Sequence, residues 1–199
     1  ISHHDLKGDN IILVNDNNQY YAKIIDFGLA THPNHISNNE SYITCGTISY
    51  MSPEKLNISL EKNESCCYDA YKSDIWSVGI ILYLLCNLKF PFSKAHKSDS
   101  MYQLFLNNNY DLENMEEYEN NIISLMLQED IEKISSINNI INQINYIIDF
   151  KEKQYKTKKI SILNHQSILE NNSSFGEHTP NISIQKKRKM ESDENKEKY

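Results

Sequence analysis

Glycine is scarce in this chain of 199 residues: five are present, at positions 8, 28, 46, 79 and 176. Average usage is about 7%, and the few present are too widely spaced for a Walker loop or a dinucleotide-binding fingerprint. Arginine is scarcer still. Of 20 basic residues 19 are lysine, and the single arginine, Arg188, lies near the C-terminal end, so residues 1–150 work without a guanidinium. The four cysteines (Cys45, Cys66, Cys67, Cys86) show no C-x-x-C spacing, which argues against a zinc site or a disulfide framework. Reduced thiols fit a cytoplasmic setting. The longest apolar run, Ile80 to Cys86, is far short of the roughly 20 residues of a bilayer helix, so no membrane partner is expected. The chain opens on Ile-Ser-His-His-Asp with no initiator Met and no basic-then-apolar leader, which reads as a fragment without a secretory signal.

Charge divides what is there. Residues 1–150 carry 9 lysines against 20 Asp and Glu, a net −11, whereas residues 151–199 carry 11 Lys and Arg against 7 Asp and Glu, a net +4. Two segments are therefore expected, a folded body over 1–150 and a Lys-rich, disordered tail over 151–199. A body of about 150 residues suffices for one core. Asn10 to Val14 and Tyr20 to Ile25 are short β-branched or apolar stretches separated by Asn15-Asp-Asn-Asn, which predicts a hairpin. Residues 29–50 lack periodicity and read as a long loop. Asp74 to Leu85 is apolar on nearly every side and predicts a buried central helix, while Ile122, Leu125 and Met126, then Ile137, Ile140, Ile141 and Ile144, repeat at helical spacing. The expected class is mainly α (α+β), a small hairpin on a helical body.

The residues that carry chemistry cluster early. In His3-His4-Asp5-Leu6-Lys7-Gly8-Asp9-Asn10 a carboxylate, an ammonium and an amide stand at i, i+2 and i+5, and Asp26-Phe27-Gly28 follows the second predicted strand. A carboxylate orients and deprotonates a hydroxyl, an ammonium neutralises a phosphoryl group, and Asn plus a second Asp offer the hard oxygens that Mg²⁺ prefers. Downstream come Cys45-Gly46-Thr47-Ile48-Ser49-Tyr50-Met51, Ser52-Pro53-Glu54 and Asp74-Ile75-Trp76-Ser77-Val78-Gly79.

In this order these motifs resemble the C-terminal lobe of a eukaryotic protein kinase of the Ser/Thr branch. The catalytic loop H-R-D-L-K-x-x-N is matched with one change, His4 for Arg, and Asp26 to Glu54 would be a 29-residue activation segment. The resemblance implies ATP and Mg²⁺ as cofactors and a protein Ser/Thr hydroxyl as substrate. It makes Asp5 the catalytic base, Lys7 the contact to the γ-phosphate and Thr47 their partner. Asn10 and Asp26 become the metal ligands, Ile12 the apolar floor beneath the adenine, and Asp74 the anchor under the catalytic loop. The family's Gly-rich loop, strand lysine and helix glutamate have no counterpart here, so an upstream N-lobe would have to supply them. The chain alone is expected to be inactive. A pseudokinase-like docking scaffold is the rival reading.

Departures from the family pattern carry expectations of their own. His4 cannot form the bidentate bonds to a phosphate that an arginine makes, so activation is expected not to depend strictly on phosphorylation, although Thr31, Ser37, Ser41 and Thr44 are available. Ile134 falls where the family's arginine partner of Glu54 belongs, so Lys133 is expected to substitute or Glu54 to stay hydrated. Leu56 to Cys67 reads as a surface insertion. Asp9 reads equally as a contact to a basic substrate residue or as a solvated loop carboxylate, His32 with His35 read as a solvated loop, and the Asn-x-Ser triplets at Asn57, Asn63 and Asn181 need no glycan in a cytosolic protein. The run Lys186 to Lys189 is a weak nuclear address at most, and no nucleic-acid partner is expected.

Overall fold

In the computed structural model the described residues are 1–32, 40–41, 43–61, 66–107 and 115–173, with the side chains of Glu40 and of 163–173 outside the description. The chain divides into two units, Ile1–Phe150 and Lys151–Tyr199.

In the first unit, β1 (Ile11–Asp16) pairs antiparallel with β2 (Gln19–Ile24), Ile11 opposite Ile24 and Asp16 opposite Gln19. The two-residue turn is Asn17-Asn18, with φ of 50° and 66°. Two left-handed residues give the turn whose twist matches the strands, and asparagine tolerates that region better than other side chains. The predicted hairpin is present, within a residue at three strand ends, with β1 running two residues further, to Asp16. The long loop expected over 29–50 contains more: β3 (Glu40–Ser41) pairs with β4 (Tyr68–Asp69), and Ile48–Tyr50 forms a 3-10 turn. A two-residue strand with a partner 27 positions away in sequence leaves no periodicity to read.

Helix α1 (Pro53–Glu61) starts on a proline, whose missing N–H is no loss in the first turn. Its Leu56 is buried at 1% exposure, so at least this part of the expected surface insertion is core; residues 62–65 lie outside the described residues. Helix α2 (Ala70–Asn87) begins four residues before the predicted start, because Asp69 caps it by accepting from the Tyr71 and Lys72 amides. Trp76 and Ile80 on α2 are wholly buried, and the rings of Phe92, Tyr102 and Phe105 pack with them, Phe92 meeting Tyr102 edge-on at 4.9 Å. Asp99 caps α3 (Ser100–Leu106) and also accepts from the Ser93 and Lys94 amides. Helix α4 (Glu117–Met126) opens with a Glu116–Glu119 capping box and buries Ile122, Ile123 and Met126. It crosses α2 at Gly79, where an added Cβ would lie 2.9 Å from the Met126 Cβ and 2.7 Å from a Leu127 methyl.

Helix α5 (Ile137–Ser173) buries Ile140 but exposes about half of Ile137 and Ile141. In the second unit, residues 151–173 are helical, a correction to the disorder expected there. No Gly or Pro interrupts 137–173, Lys, Glu and Gln are good helix formers, and Lys156 pairs with Glu152 one turn back at 3.4 Å. The run Lys186 to Lys189 and Asn181 lie outside the described residues. Among the described residues no helix is long and apolar enough to cross a membrane.

Candidate active site

The catalytic-loop segment is anchored from below. Asp74, one turn into α2, accepts from the His3 and His4 amides at 2.6 and 3.0 Å and from the Ser2 hydroxyl at 2.8 Å. Three donors on one carboxylate fix the backbone entering Asp5. His4 takes a left-handed φ of 69°, which turns the following residue outward.

Asp5, Lys7 and Thr47 converge. Lys7 Nζ lies 2.9 Å from Asp5 Oδ2 and 3.1 Å from Thr47 Oγ1, while the Thr47 amide and hydroxyl donate to Asp5 Oδ1 at 2.9 and 2.8 Å. Burial alone would push the Asp5 carboxyl up, but the bonds from Lys7 and Thr47 outweigh it and hold the carboxyl below its usual range. Its bond to Asp5 raises the Lys7 ammonium in turn. At neutral pH the pair is thus an ionised carboxylate beside a cation. Gly46 permits this approach: its φ is 134°, and a Cβ there would meet the His4 carbonyl at 2.9 Å.

Asn10 is buried, and its Nδ2 donates to the Asp5 carbonyl at 2.9 Å; Oδ1 is the atom left to suit a hard cation. The Ile25 amide donates to the Asn10 carbonyl at 2.9 Å, so the hairpin sets Asp26 beside Asn10. Asp26 is exposed in the left-handed region, φ 61°, with one carboxylate oxygen 3.3 Å from the Gly28 amide. An amide oxygen and an exposed carboxylate suit Mg²⁺. Phe27 stands 5.1 Å from the His3 ring. Ile12, on β1 opposite Lys23, is 42% exposed, and Leu13, Tyr20, Tyr21, Ile24 and Phe27 are exposed as well.

Three expectations change. Lys133 does not reach Glu54: it is exposed and pairs with Asp130 at 3.8 Å. Both Glu54 oxygens are buried without a hydrogen-bond partner, and burial pushes the carboxyl up. The second concerns His4, expected only to lack the arginine's bidentate reach. It is buried, and desolvation together with the nearby Lys55 cation lowers its pKa. Third, Ser41 is buried in β3 and the Thr31 hydroxyl is already bonded to His4, whereas Ser37 and His35 lie outside the described residues. No group of three or more His, Cys, Asp or Glu able to hold a metal occurs among the described residues; His32 is exposed.

The residue that sequence reasoning missed is Lys55. It is buried at 3% exposure, and Nζ donates to the His4 carbonyl at 2.6 Å. A single lysine after Ser-Pro-Glu carries no pattern that would have singled it out.

Comparison with known proteins agrees with the geometry. Residues 1–147 match the protein kinase domain family. The chain is 35% identical over 182 residues to a probable serine/threonine-protein kinase nek3 of Dictyostelium discoideum, covering 87% of this chain and 15% of that protein. It is 35% identical over 118 residues to serine/threonine-protein kinase SKS1 of Saccharomyces cerevisiae, 55% of this chain and 22% of that protein. It is 39% identical over 93 residues to CBL-interacting protein kinase 17 of rice, 46% and 18% respectively. The chain spans less than a quarter of the length of these relatives.

Proposed function

The chain belongs to the serine/threonine protein kinase family, and from that premise we propose that it is the C-terminal lobe of an enzyme that moves the γ-phosphate of ATP to a protein Ser or Thr hydroxyl. The observation that carries the reading is the Asp5–Lys7–Thr47 triangle. An ionised Asp5 beside a cation is suited to orient a hydroxyl and take its proton, while Lys7 faces the charge that develops on the phosphoryl oxygens. In the proposed step the hydroxyl oxygen bonds to the γ-phosphorus, the bond to the β-phosphate oxygen breaks, ADP leaves, and the proton passes to Asp5. Asn10 Oδ1 and the Asp26 carboxylate would hold Mg²⁺, whose charge offsets that of the phosphates. Thr47 keeps Asp5 and Lys7 in register.

The exposed apolar side chains of the hairpin and Phe27 support the lobe assignment, since Ile12 would face the adenine only beneath a second lobe. These 199 residues alone lack a Gly-rich loop and its lysine, so the isolated chain is inactive in this reading. The rival, a docking scaffold, is favoured by the partnerless Glu54 and by His4, which depart from the catalytic pattern. The deciding measurement is Mg²⁺-dependent transfer from ATP to a basic protein substrate by the chain, by the longest native polypeptide carrying it, and by that polypeptide with Asp26→Ala. Transfer by the longer polypeptide that Asp26→Ala abolishes sustains the enzyme. No transfer by a folded longer polypeptide gives the scaffold.

A further inference from the structure

Around His4 the hydrogen-bond directions fix two opposite histidine tautomers. The Asp5 amide donates to His3 Nδ1 at 3.3 Å, so His3 carries its proton on Nε2 and gives it to the Ile25 carbonyl at 3.0 Å. In His4 the order reverses. Tyr68 donates its hydroxyl proton to the Ile43 carbonyl, so it accepts from His4 Nδ1 at 3.1 Å, and His4 Nε2 is left to accept from Thr31 Oγ1 at 2.8 Å. A directed relay, Thr31 to His4 to Tyr68 to Ile43, therefore ties two points inside the activation segment to the catalytic loop.

Lys55 closes this arrangement. Its Nζ, besides bonding the His4 carbonyl, sits 5.7 Å over the Tyr68 ring and within 3.3 Å of where a Gly46 Cβ would be. We propose that Lys55 is a positioning residue, an internal cation that fixes the His4 turn against Gly46 and so aims Asp5, giving the activation segment a hold that needs no added phosphate. This rests on the phosphotransfer reading above. Asp74, Asp5, Glu54 and Cys45 bear on its charge, and burial lowers its pKa. The groups facing His4 are Lys55, Asp74 and His3, with the neutral Tyr68 and Thr31 hydroxyls on either side. Among the described residues the cation beside His4 is Lys55, which is buried and already bonded, so it is not free to meet a phosphate.

The test compares Lys55→Met and Lys55→Arg in the longest native polypeptide carrying these residues. Lys55→Met is expected to lower kcat by about a hundredfold with KM for ATP within about twofold, and Lys55→Arg to recover much of the loss. Unchanged kcat in Lys55→Met overturns the proposal, as does a loss above about tenfold when phosphatase treatment strips the wild-type activation segment. Histidine ¹⁵N spectra of the 199-residue chain provide the arm that does not depend on turnover. Wild type is expected to show His4 protonated on Nδ1 and His3 on Nε2, and Lys55→Met to scramble His4 alone. If no polypeptide transfers phosphate yet the spectra behave so, the kinase reading fails and the positioning role stands; a wild-type His4 protonated on Nε2 removes the role itself.

Discussion

Gly79→Ala sets two known effects against each other. In a helix interior alanine is favoured over glycine by about 1 kcal/mol, so propensity alone predicts a more stable protein. The packing opposes it: the new methyl would sit 2.7 Å from Leu127 Cδ2, 3.0 Å from its Cγ and 2.9 Å from the Met126 Cβ. The leucine tip can rotate, but the Met126 Cβ moves only with the backbone of α4. Overpacking of this kind costs about 1–3 kcal/mol, and with a backbone-tied contact the upper part of that range applies, leaving a net loss of about 1–2 kcal/mol. For a chain of this size that lowers Tm by about 3–6 °C. Urea unfolding read by fluorescence follows it cleanly, because the chain has one tryptophan, Trp76, wholly buried against α2's neighbours. Pairing Gly79→Ala with Leu127→Ala removes two of the three clashes, so the double variant is expected to be more stable than the sum of the singles by more than about 0.5 kcal/mol. A Gly79→Ala protein more stable than wild type would refute the close α2–α4 crossing.

Glu54→Met removes a buried carboxyl that has no partner and is expected to raise stability at pH 7 by about 1–3 kcal/mol. Since burial raises the folded-state pKa of Glu54, the wild type loses stability as pH climbs from the ordinary glutamate range through that raised value; the variant's stability curve, measured by urea unfolding across pH, flattens there. Thr47→Val deletes the hydroxyl shared by Asp5 and Lys7 and is expected to cut kcat about ten- to a hundredfold in the transfer assay with little change in Tm. Asn18→Val places a β-branched residue at φ 66° and is expected to cost about 1–2 kcal/mol, against no loss for Asn18→Gly, by the same unfolding measurement.

The elements legible in the sequence are those set by local chemistry. The Asn-rich spacer announced the hairpin turn, the apolar run announced α2, and His3 to Asn10 singled out a segment in which the Asp5 and Lys7 side chains meet. What escaped depends on distant partners. The β3–β4 pairing joins residues far apart in sequence, and Lys55 matters only because the fold carries it under His4. The apolar pattern that located α2 begins only after Asp69, so the cap and the first turn escaped it. Lys133 was assigned to Glu54 by position along the chain, and Asp130, three residues away, holds it instead. Composition misread residues 151–173, where lysine signals solubility and helix propensity alike.

The hairpin is held at one end only. At its base the Ile25 amide and carbonyl are bonded to Asn10 and His3; beyond that, both strands are largely solvent-facing as far as the Asn17-Asn18 turn. Six residues per strand make it about 20 Å long. It is a lever pivoted next to Asn10 and Asp26, the two side chains proposed to hold Mg²⁺, and a partner gripping its tip would swing both together.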